Sequence, residues 1–306
     1  TFFHGRGGSA GRGGGPIQAT LKSQPPNSVN GKIRITDQGE VIQQKYGYEP
    51  LAKYNLCSYI GAVVQATLNP PPEPDTKWKR LIEEMSETSM KSYRSNINEK
   101  SDFIRYFRTV TPHKALGKLS IGSRPSKRKN IDNIKSLRAI PWVFAWTQIR
   151  LFLPAWLGTT EALNYASSKP FKKTLMEMEK KWPFFNSTMD ILDMVISKVD
   201  PEISRVYENQ LADKKLKIVG KKLRLQFESL KRLNKLITPI QIRKQRKKFR
   251  TSVIIRNIYS EVLHITQSIV MKKLSSKKLN KNQKQYLNDA LMTSIAGISA
   301  AMKNTG

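Results

Sequence analysis

The chain has 306 residues, 39% of them hydrophobic, which is enough to form one or two packed domains. Its 54 Lys and Arg residues against 23 Asp and Glu give a formal net charge of +31, typical of proteins that bind nucleic acid or an acidic membrane surface. Much of this excess is Lys and is densest between Lys214 and Arg250, as also happens when Lys replaces other polar residues on solvated faces. A polyanion-binding surface and a compositional bias therefore both stay open.

The single cysteine, Cys57, excludes an internal disulfide and fits a reducing cytoplasm, where we expect the protein to be. It lies in an apolar stretch, so the sequence predicts a small buried residue at this position. The first residues, Thr1-Phe2-Phe3-His4, carry neither an initiator Met nor the charged and apolar regions of a secretory signal. We expect the chain to be one part of a longer protein.

The first half of the chain is predicted to hold a Gly-rich loop, one short strand and several helices. Residues 32–36 (KIRIT) alternate polar and apolar side chains, the period of a strand, and residues 38–68 are mostly helical in pattern. The next helix begins at Asp75 or Thr76, either of which can cap it, and residues 101–110 form a shorter helix. The face that the helix after Asp75 is predicted to bury consists of Trp78, Leu81, Ile82, Met85 and Tyr93.

Residues 140–158 form an apolar run that a hydropathy scan would notice. The run is barely long enough to span a bilayer, and Thr147, Gln148 and Arg150 interrupt its centre. Pro154 would also break a membrane helix. The run therefore predicts a buried strand followed by a helix in a protein core, and no membrane partner.

The second half of the chain is predicted to be helical. The predicted helices span residues 170–181, 187–198, 201–235, 250–278 and 282–302. In the last helix, Leu287, Leu291, Ile295 and Ile298 recur on one face, which predicts a buried stripe. With no internal repeat and no long linker in the sequence, we expect a mainly α protein with a few short β-strands.

The Gly-rich segment at residues 4–15 contains the residue types of an anion site. Glycines let backbone N–H groups converge on an anion, and the guanidinium groups of Arg6 and Arg12 suit phosphate or carboxylate. His4 can donate a hydrogen bond or move a proton near neutral pH. The alternative is an RGG-type RNA-binding tail, although such tails usually carry many repeats in a disordered context.

A second basic segment, at residues 122–129, lies between residues 120 and 133 in a polar loop and precedes Arg138. Taken alone, such a segment is a solvated loop or a nuclear-localisation-like patch. Arg138, however, stands at the mouth of the apolar run, where a buried Arg needs an anionic partner. A mobile basic loop next to a fixed Arg is suited to closing over a phosphorylated substrate.

Several segments of the chain resemble phosphoenolpyruvate carboxylases. The similar segments are FHGRGG at 3–8, GRGG at 11–14, LKSQPP at 21–26, GSRPSKRK at 122–129, SLRAIPW at 136–142, LPAWLG at 153–158 and KNTG at 303–306. The resemblance is dense over residues 3–158, patchy around 182–200, faint from 214 to 250, and clear again over 253–306.

This resemblance implies a bacterial-type lyase that forms oxaloacetate and phosphate from phosphoenolpyruvate and bicarbonate, through carboxyphosphate and an enolate, with Mg²⁺ or Mn²⁺. It also implies a homotetramer when full length, inhibition by aspartate or malate, and an α/β barrel elaborated with many helices. Residues 1–158 would then be the C-terminal part of the barrel, and residues 159–306 a helical region with the inhibitor site. Neither nucleic acid nor a membrane is expected as a partner.

The resemblance also implies roles for individual residues. Arg6 and Arg138 would hold the phosphoryl group, Arg12 would orient bicarbonate or carboxyphosphate, and His4 would position the intermediate that yields CO₂. The lid would be formed by Arg124, Lys127 and Arg128, and the substrate loop by Gly5, Gly7 and Gly8. The residues implied for the inhibitor are Arg12, Lys198, Arg256 and Asn304.

The sequence departs from the family pattern after Lys129. The family commonly has a Pro- and Gly-rich hinge there, followed by an acidic residue before Ser-Leu-Arg, whereas this chain has NIDNIK at residues 130–135. Loss of the glycines should stiffen the hinge, and Lys135 places a positive charge close to Arg138 in sequence.

The metal ligands implied by the family precede His4, so no metal site is assigned to this chain, and the chain alone is expected to be inactive. His113 and His264 lack ligand spacing with neighbouring acidic residues and are predicted to be structural. The alternative function, favoured by net charge and the Arg-Gly-Gly units, is a basic RNA- or DNA-binding protein.

Overall fold

The computed structural model describes residues 17–35, 37, 39–97, 102–116, 139–238, 247–276 and 278–302, and within these ranges it contains helices and no strand. A short 3₁₀ helix, Leu153–Ala155, lies in the second half of the chain. The α-helices are α1 (Ile17–Lys22), α2 (Gly39–Tyr46), α3 (Glu49–Leu68), α4 (Thr76–Asn96), α5 (Asp102–Val110), α6 (His113–Leu116), α7 (Ala139–Gln148), α8 (Thr159–Ala166), α9 (Lys169–Lys181), α10 (Pro183–Lys198), α11 (Pro201–Leu211), α12 (Lys214–Ile237), α13 (Lys247–Leu274) and α14 (Lys281–Met302). The mainly α prediction is confirmed, and the barrel stays a prediction.

One compact unit consists of the described residues of Thr1–Glu84 and Ala166–Asp193. Here α1 and α2 both pack on α3. Farther along the chain, Trp78 stacks on Trp182 with ring centroids 6.0 Å apart, and Lys77 pairs with Glu177 at 2.7 Å. The small apolar cluster around α1 and α3 is formed by Ile17, Leu21, Val29, Ala62 and Ala66, with Ile35, Tyr59 and Val63 packed against it.

Cys57 is exposed on α3, so the prediction of a buried cysteine is wrong. The helix is apolar around most of its circumference, yet Ala62 and Ala66 are its buried residues, and Cys57 lies on the opposite side from Ala66. Its neighbours Leu56 and Ile60 are exposed as well. Because the helix has no distinct polar face, its sequence does not indicate which side packs against the rest of the protein. The burial of Cys57 was therefore predicted wrongly.

The strand predicted at residues 32–36 is absent over residues 32–35, and Thr36 lies outside the described residues. A strand requires a neighbour for its backbone N–H and C=O groups, and the described ranges provide no second strand to pair with this segment. The helical pattern at residues 38–68 is confirmed, but it is interrupted at Gly47 and Tyr48. Pro50, in the first turn of α3, suits a helix start because its missing N–H would have no intrahelical partner there.

Side-chain caps fix several of the helix boundaries. Asp75 Oδ1 accepts the backbone N–H of Lys77 at 2.9 Å, as predicted for the start of α4. The predicted helix at 201–235 is instead two helices, because Asp213 Oδ1 accepts the N–H of Leu216 and starts α12 anew. Asp200 caps α11 in the same way by accepting from Glu202 and Ile203.

The second compact unit consists of the described residues of Met85–Tyr165 and Met194–Gly306. In it α13 packs along α14 and against α11, while α12 packs on α5 and α11. Leu291, Ile295 and Ile298 of α14 are buried, as predicted for the stripe of this helix, while its first member, Leu287, is half-buried.

The apolar run at residues 140–158 lies in the core of this unit, but its first part is the helix α7 and not a strand. Trp146 is fully buried and packs against Phe103, Phe107 and Trp142 at centroid distances of 5.3 to 5.6 Å. Trp142 and Trp146 are four residues apart and so lie on the same face of α7, a spacing at which side chains meet in a helix. In the described part of the chain, no helix combines the length and apolar character needed to cross a membrane.

The backbone conformation and the close packing at Gly158 leave no room for a side chain. Its φ is +90°, in the left-handed region, and a Cβ at this position would collide with the carbonyl oxygen of Ser89 and lie 2.9 Å from its Oγ. Gly31 has a similar φ of +67°, but a Cβ there would meet nothing within 4 Å.

Alanine substitutions at these two glycines distinguish the cost of backbone strain from the cost of steric overlap. We expect Gly31→Ala to lower the free energy of unfolding by about 1 kcal/mol, since strain alone is added. Gly158→Ala should lower it by about 2 kcal/mol or more, because overlap with Ser89 is added to the strain. Urea unfolding of both variants and the parent measures the difference, and equal losses would contradict the close approach of Ser89.

Candidate functional site

Most residues implied by the resemblance lie outside the described residues. This holds for the Gly-rich loop, the basic loop and the end of the chain, and so for His4, Gly5, Arg6, Gly7, Gly8, Arg12, Arg124, Lys127, Arg128, Arg138 and Asn304. Their roles stay predictions. Lys198 and Arg256 are described, and both belong to the second compact unit.

The side chain of Arg150 connects Lys198 to Asn257, the residue that follows Arg256. Lys198 is the last residue of α10, and its backbone carbonyl accepts a 2.8 Å hydrogen bond from Nε of Arg150. Nη1 of the same guanidinium donates to Oδ1 of Asn257 at 3.0 Å, and Asn257 follows Arg256 on α13. One side chain therefore joins the implied residue Lys198 to the neighbour of the implied residue Arg256.

Arg256 also contacts the last turn of α14. Its Nη1 donates to the carbonyl oxygen of Ala301 at 3.0 Å, which places the half-buried guanidinium at the C-terminal end of that helix. The carbonyl groups that end a helix carry partial negative charge, so a cation is favoured there. Asn304, the other inhibitor residue implied at this end of the chain, comes soon after Ala301 in the sequence.

Arg150 itself is almost completely buried, with 1% of its surface exposed. Burial is the main reason that the pKa of its guanidinium lies below the usual value, and the charge of Arg256 lowers that pKa further. Asp200 and Glu261 act in the opposite direction. The guanidinium stays protonated at neutral pH because the ordinary pKa of Arg is far above 7. The charges that act on the buried guanidinium are therefore one further cation, Arg256, and the carboxylates of Asp200 and Glu261.

Arg150 and Asn257 have no role among the residues implied by the resemblance. In the sequence Arg150 was informative only as a charge that interrupts an apolar run. That signal could have found it, because an Arg within an apolar run needs buried hydrogen-bond acceptors or an anion. Its acceptors, however, lie 48 and 107 residues away, beyond the reach of any local pattern.

A buried polar network lies beside this site and links four helices. Tyr207 of α11 donates to Oε1 of Gln267 at 2.8 Å, and Gln267 Nε2 donates to Gln148 Oε1 at 3.1 Å. The Tyr207 hydroxyl also lies 3.1 Å from Nδ1 of His264. Gln148 in turn donates to Ser299 Oγ at 3.1 Å. These hydrogen bonds fix the positions of α7, α11, α13 and α14 relative to one another.

A second buried cluster surrounds the carboxylate of Glu208. Tyr106 donates to it at 2.8 Å and Arg224 forms an ion pair with it. Burial, followed by the negative charge of Glu208, holds the pKa of Tyr106 well above its usual value. The carboxylate lies against Gly220, where a Cβ would overlap its oxygens. This cluster joins α5, α11 and α12 without reaching Lys198 or Arg256.

The two described histidines occupy structural positions. His264 is fully buried within the Tyr207 network, and the half-buried His113 packs on Phe107 with ring centroids 5.3 Å apart. In the ranges that the structure covers, no three His, Cys, Asp or Glu side chains are grouped closely enough to hold a metal ion. The described residues therefore give no place to assign the metal of the implied reaction.

A cavity of about 580 Å³ lies elsewhere in the second unit, between α5, α6, α11, α13 and α14. It is lined by the cations Arg108, Lys114, Lys272 and Lys284 and by apolar residues such as Leu291. Neither Lys198 nor Arg256, the two described residues implied for the inhibitor, lines it. The volume of this cavity therefore does not mark the implied site, whereas the hydrogen bonds of Arg150 join the implied residue Lys198 to Asn257, the neighbour of Arg256.

The described residues form a helical protein with a buried Arg that joins α10 to α13. Comparison with known proteins identifies its family. The family model described as phosphoenolpyruvate carboxylase matches residues 1–306. The chain belongs to the phosphoenolpyruvate carboxylase family. The family predicted from the motifs is therefore confirmed.

Curated relatives support the same assignment along the whole chain. Proteins named phosphoenolpyruvate carboxylase from Hahella chejuensis, Acinetobacter baumannii and Escherichia coli O1:K1 are 44%, 46% and 43% identical over 307, 316 and 308 residues. Each match covers 100% of this chain but 35% of the relative. The chain thus spans about a third of the length of these relatives. The alternative of a nucleic-acid-binding protein gains no support from the matches.

His264 should make the stability of the fold depend on pH. Burial, with the charge of Arg150, lowers its pKa to about 3, whereas an unfolded chain titrates near 6.5. Well above pH 6.5, His264 is neutral in both the folded and the unfolded state, and it causes no loss of stability. As the pH falls below 6.5, the unfolded state alone takes up the proton, so stability is lost until the folded pKa is reached.

Between pH 7 and pH 5 this proton should lower the free energy of unfolding by roughly 2 kcal/mol. Urea unfolding of the wild type and of His264→Gln at both values measures it, since titration of the carboxylates is common to the two proteins. We expect a smaller loss in the variant. Equal losses would show that His264 does not stay neutral in the folded state.

Proposed function

We propose that this chain is the C-terminal part of a phosphoenolpyruvate carboxylase, which forms oxaloacetate and phosphate from phosphoenolpyruvate and bicarbonate. The observation that carries the proposal is the family match over all 306 residues. The relatives bear the same name and align with the whole chain. The FHGRGG, GSRPSKRK and SLRAIPW segments supply cations of the kind that this chemistry requires.

The reaction has two steps with anionic intermediates. An oxygen of bicarbonate attacks the phosphorus, the bond from phosphorus to the enol oxygen breaks, and carboxyphosphate and the enolate of pyruvate form. Carboxyphosphate then releases CO₂, the proton of bicarbonate leaves with the phosphate, and the enolate carbon bonds to CO₂. Fixed cations stabilise these charges, and exclusion of water protects the intermediates from hydrolysis.

In this proposal the basic residues of the chain divide these tasks. Arg6 and Arg138 hold the phosphoryl group, since a guanidinium presents paired N–H donors to phosphate oxygens. Arg12 orients the bicarbonate oxygen for attack, and His4 holds the intermediate that yields CO₂. Arg124, Lys127 and Arg128 close over the site and exclude water.

Mg²⁺ or Mn²⁺ would polarise the phosphoryl oxygens in this reaction. We place its ligands in the part of the protein that precedes His4, and none in this chain. A cytoplasmic homotetramer is the state we propose for the whole enzyme, with residues 1–158 completing the catalytic barrel and residues 159–306 forming the regulatory region.

The proposed inhibitor is a dicarboxylate, aspartate or malate, held by Lys198, Arg256, Asn304 and Arg12. Support comes from Arg150, which links the Lys198 carbonyl to Asn257, next to Arg256. Arg12 would serve either the active site or the inhibitor, and binding at the two sites would therefore be mutually exclusive.

Oxaloacetate formation tests the proposed reaction. We expect a protein that carries this chain at the full length of its relatives to form oxaloacetate only when phosphoenolpyruvate, bicarbonate and Mg²⁺ are all present. The chain of residues 1–306 alone should form none, because the proposed metal ligands precede it. A coupled malate dehydrogenase assay measures both. Turnover by residues 1–306 would contradict the placement of the ligands, and no turnover by the longer protein would contradict the function.

Substitution of Lys198 tests the inhibitor site in the full-length enzyme. Lys198→Ala removes one charge-assisted bond to a carboxylate and should raise the aspartate inhibition constant about tenfold. Lys272→Ala is the matched control, because Lys272 is an exposed Lys on α13 that contacts Gln210. Aspartate titrations at a fixed phosphoenolpyruvate concentration compare the two. If both variants are inhibited like the wild type, Lys198 does not contact the inhibitor.

A further inference from the structure

We propose that Arg150 is a positioning residue that holds Lys198 and Arg256 in place for the dicarboxylate inhibitor. The inference rests on the proposed function, because it concerns the affinity of the inhibitor site assigned there. Arg150 would not touch the inhibitor itself. Its contribution would be to fix the end of α10 relative to α13.

The hydrogen bonds of Arg150 give it this role. Its Nε donates to the carbonyl of Lys198 at 2.8 Å and its Nη1 to Oδ1 of Asn257 at 3.0 Å. The Lys198 carbonyl is at the C-terminal end of α10, where unsatisfied carbonyls favour a cation. The planar guanidinium holds both acceptors at fixed directions, so the distance between Lys198 and Asn257 cannot change without breaking a bond.

The backbone of Arg150 is held as firmly as its side chain. Its φ is +58°, in the left-handed region that costs a non-glycine residue about 1–2 kcal/mol. The conformation persists because its N–H donates to the Thr147 carbonyl at 3.1 Å and its own carbonyl accepts from Asp200 N–H at 2.9 Å. The turn after α7 and the start of α11 thus aim the guanidinium between Lys198 and Asn257.

The charges around Arg150 favour the binding of an anion nearby. In the part of the chain that the structure describes, no carboxylate lies within the 4 Å of an ion pair with Arg150. Asp200 and Glu261 stabilise its charge from a greater distance, while Arg256 opposes it. A dicarboxylate bound between Lys198 and Arg256 would add negative charge near Arg150 and offset the repulsion between the two guanidinium groups.

Arg150→Lys keeps the charge but not the fork, because a single ammonium cannot reproduce the geometry of both bonds. Asn257→Ala is a milder change that removes one acceptor and leaves the bond to Lys198. Arg224→Lys is the matched control, since Arg224 is a largely buried Arg of the same unit that pairs with Glu208, away from Lys198. All three are made in the full-length enzyme.

The measurement is the aspartate inhibition constant, with the Michaelis constant for phosphoenolpyruvate determined in parallel, and aspartate binding by calorimetry. We expect Arg150→Lys to raise the inhibition constant about tenfold and Asn257→Ala about threefold or more, each exceeding any change in the Michaelis constant. Arg224→Lys should retain wild-type inhibition, although it too disturbs a buried cation.

A double variant distinguishes positioning from general loosening of the fold. If Arg150 acts through Lys198, then Arg150→Lys combined with Lys198→Ala should weaken aspartate binding by less than the product of the single effects. Multiplicative effects, or an equal loss in Arg224→Lys, would overturn the inference.

Failure of the proposed site can be told apart from failure of the role of Arg150. If the wild type makes oxaloacetate but aspartate does not inhibit it, the inhibitor site is wrong and the inference falls with it. If Lys198→Ala weakens inhibition while Arg150→Lys and Asn257→Ala are inhibited like the wild type, the site stands and the role of Arg150 is overturned. Should Arg150→Lys fail to fold, Asn257→Ala alone decides.

Discussion

The arrangement of the second helical unit depends on a positive charge that is buried where no carboxylate of the described residues neutralises it at contact distance. Arg150 can occupy that position because the Lys198 carbonyl and the Asn257 amide oxygen both accept its N–H groups. Removing either acceptor would leave part of a buried cation unsatisfied, at a cost of about 1–3 kcal/mol. The end of α10, the turn after α7 and the middle of α13 therefore have to keep their mutual positions.

The proposed inhibitor site and the core packing therefore share the same few residues. Gln148, close to Arg150, belongs to the network that joins Gln267 and Ser299, so the polar bonds of α13 and α14 continue directly into the surroundings of the guanidinium. The charge of Arg150 also helps to keep the buried His264 neutral. A displacement at the proposed inhibitor site would therefore act on helices that these hydrogen bonds link to one another.

The sequence predicted the helices well wherever a local signal marks them. Asp75 was found as a cap and the stripe of α14 as a buried face, because both depend on residues within one or two turns. The break at Asp213 was missed because the helical period continues on both sides, although Asp is a common cap. Lys198 and Arg256 came from resemblance alone. Arg150 was noted only as a charge within an apolar run, because its contacts with distant residues leave no local pattern in the sequence. Cys57 is exposed although its neighbours in the sequence are apolar, because apolar neighbours in sequence do not ensure burial in the fold.

At Gly220 the packing of the core limits which residue the sequence can carry. It lies in the Lys-rich stretch whose resemblance to the family is faintest, and most solvated positions there can exchange one polar residue for another at little cost. At Gly220 the absence of a side chain is what makes room for the buried carboxylate of Glu208. Any heavier residue would displace the partner of Tyr106 and Arg224. Mutation could therefore make the surface of α12 strongly basic over evolutionary time while this one position stayed fixed.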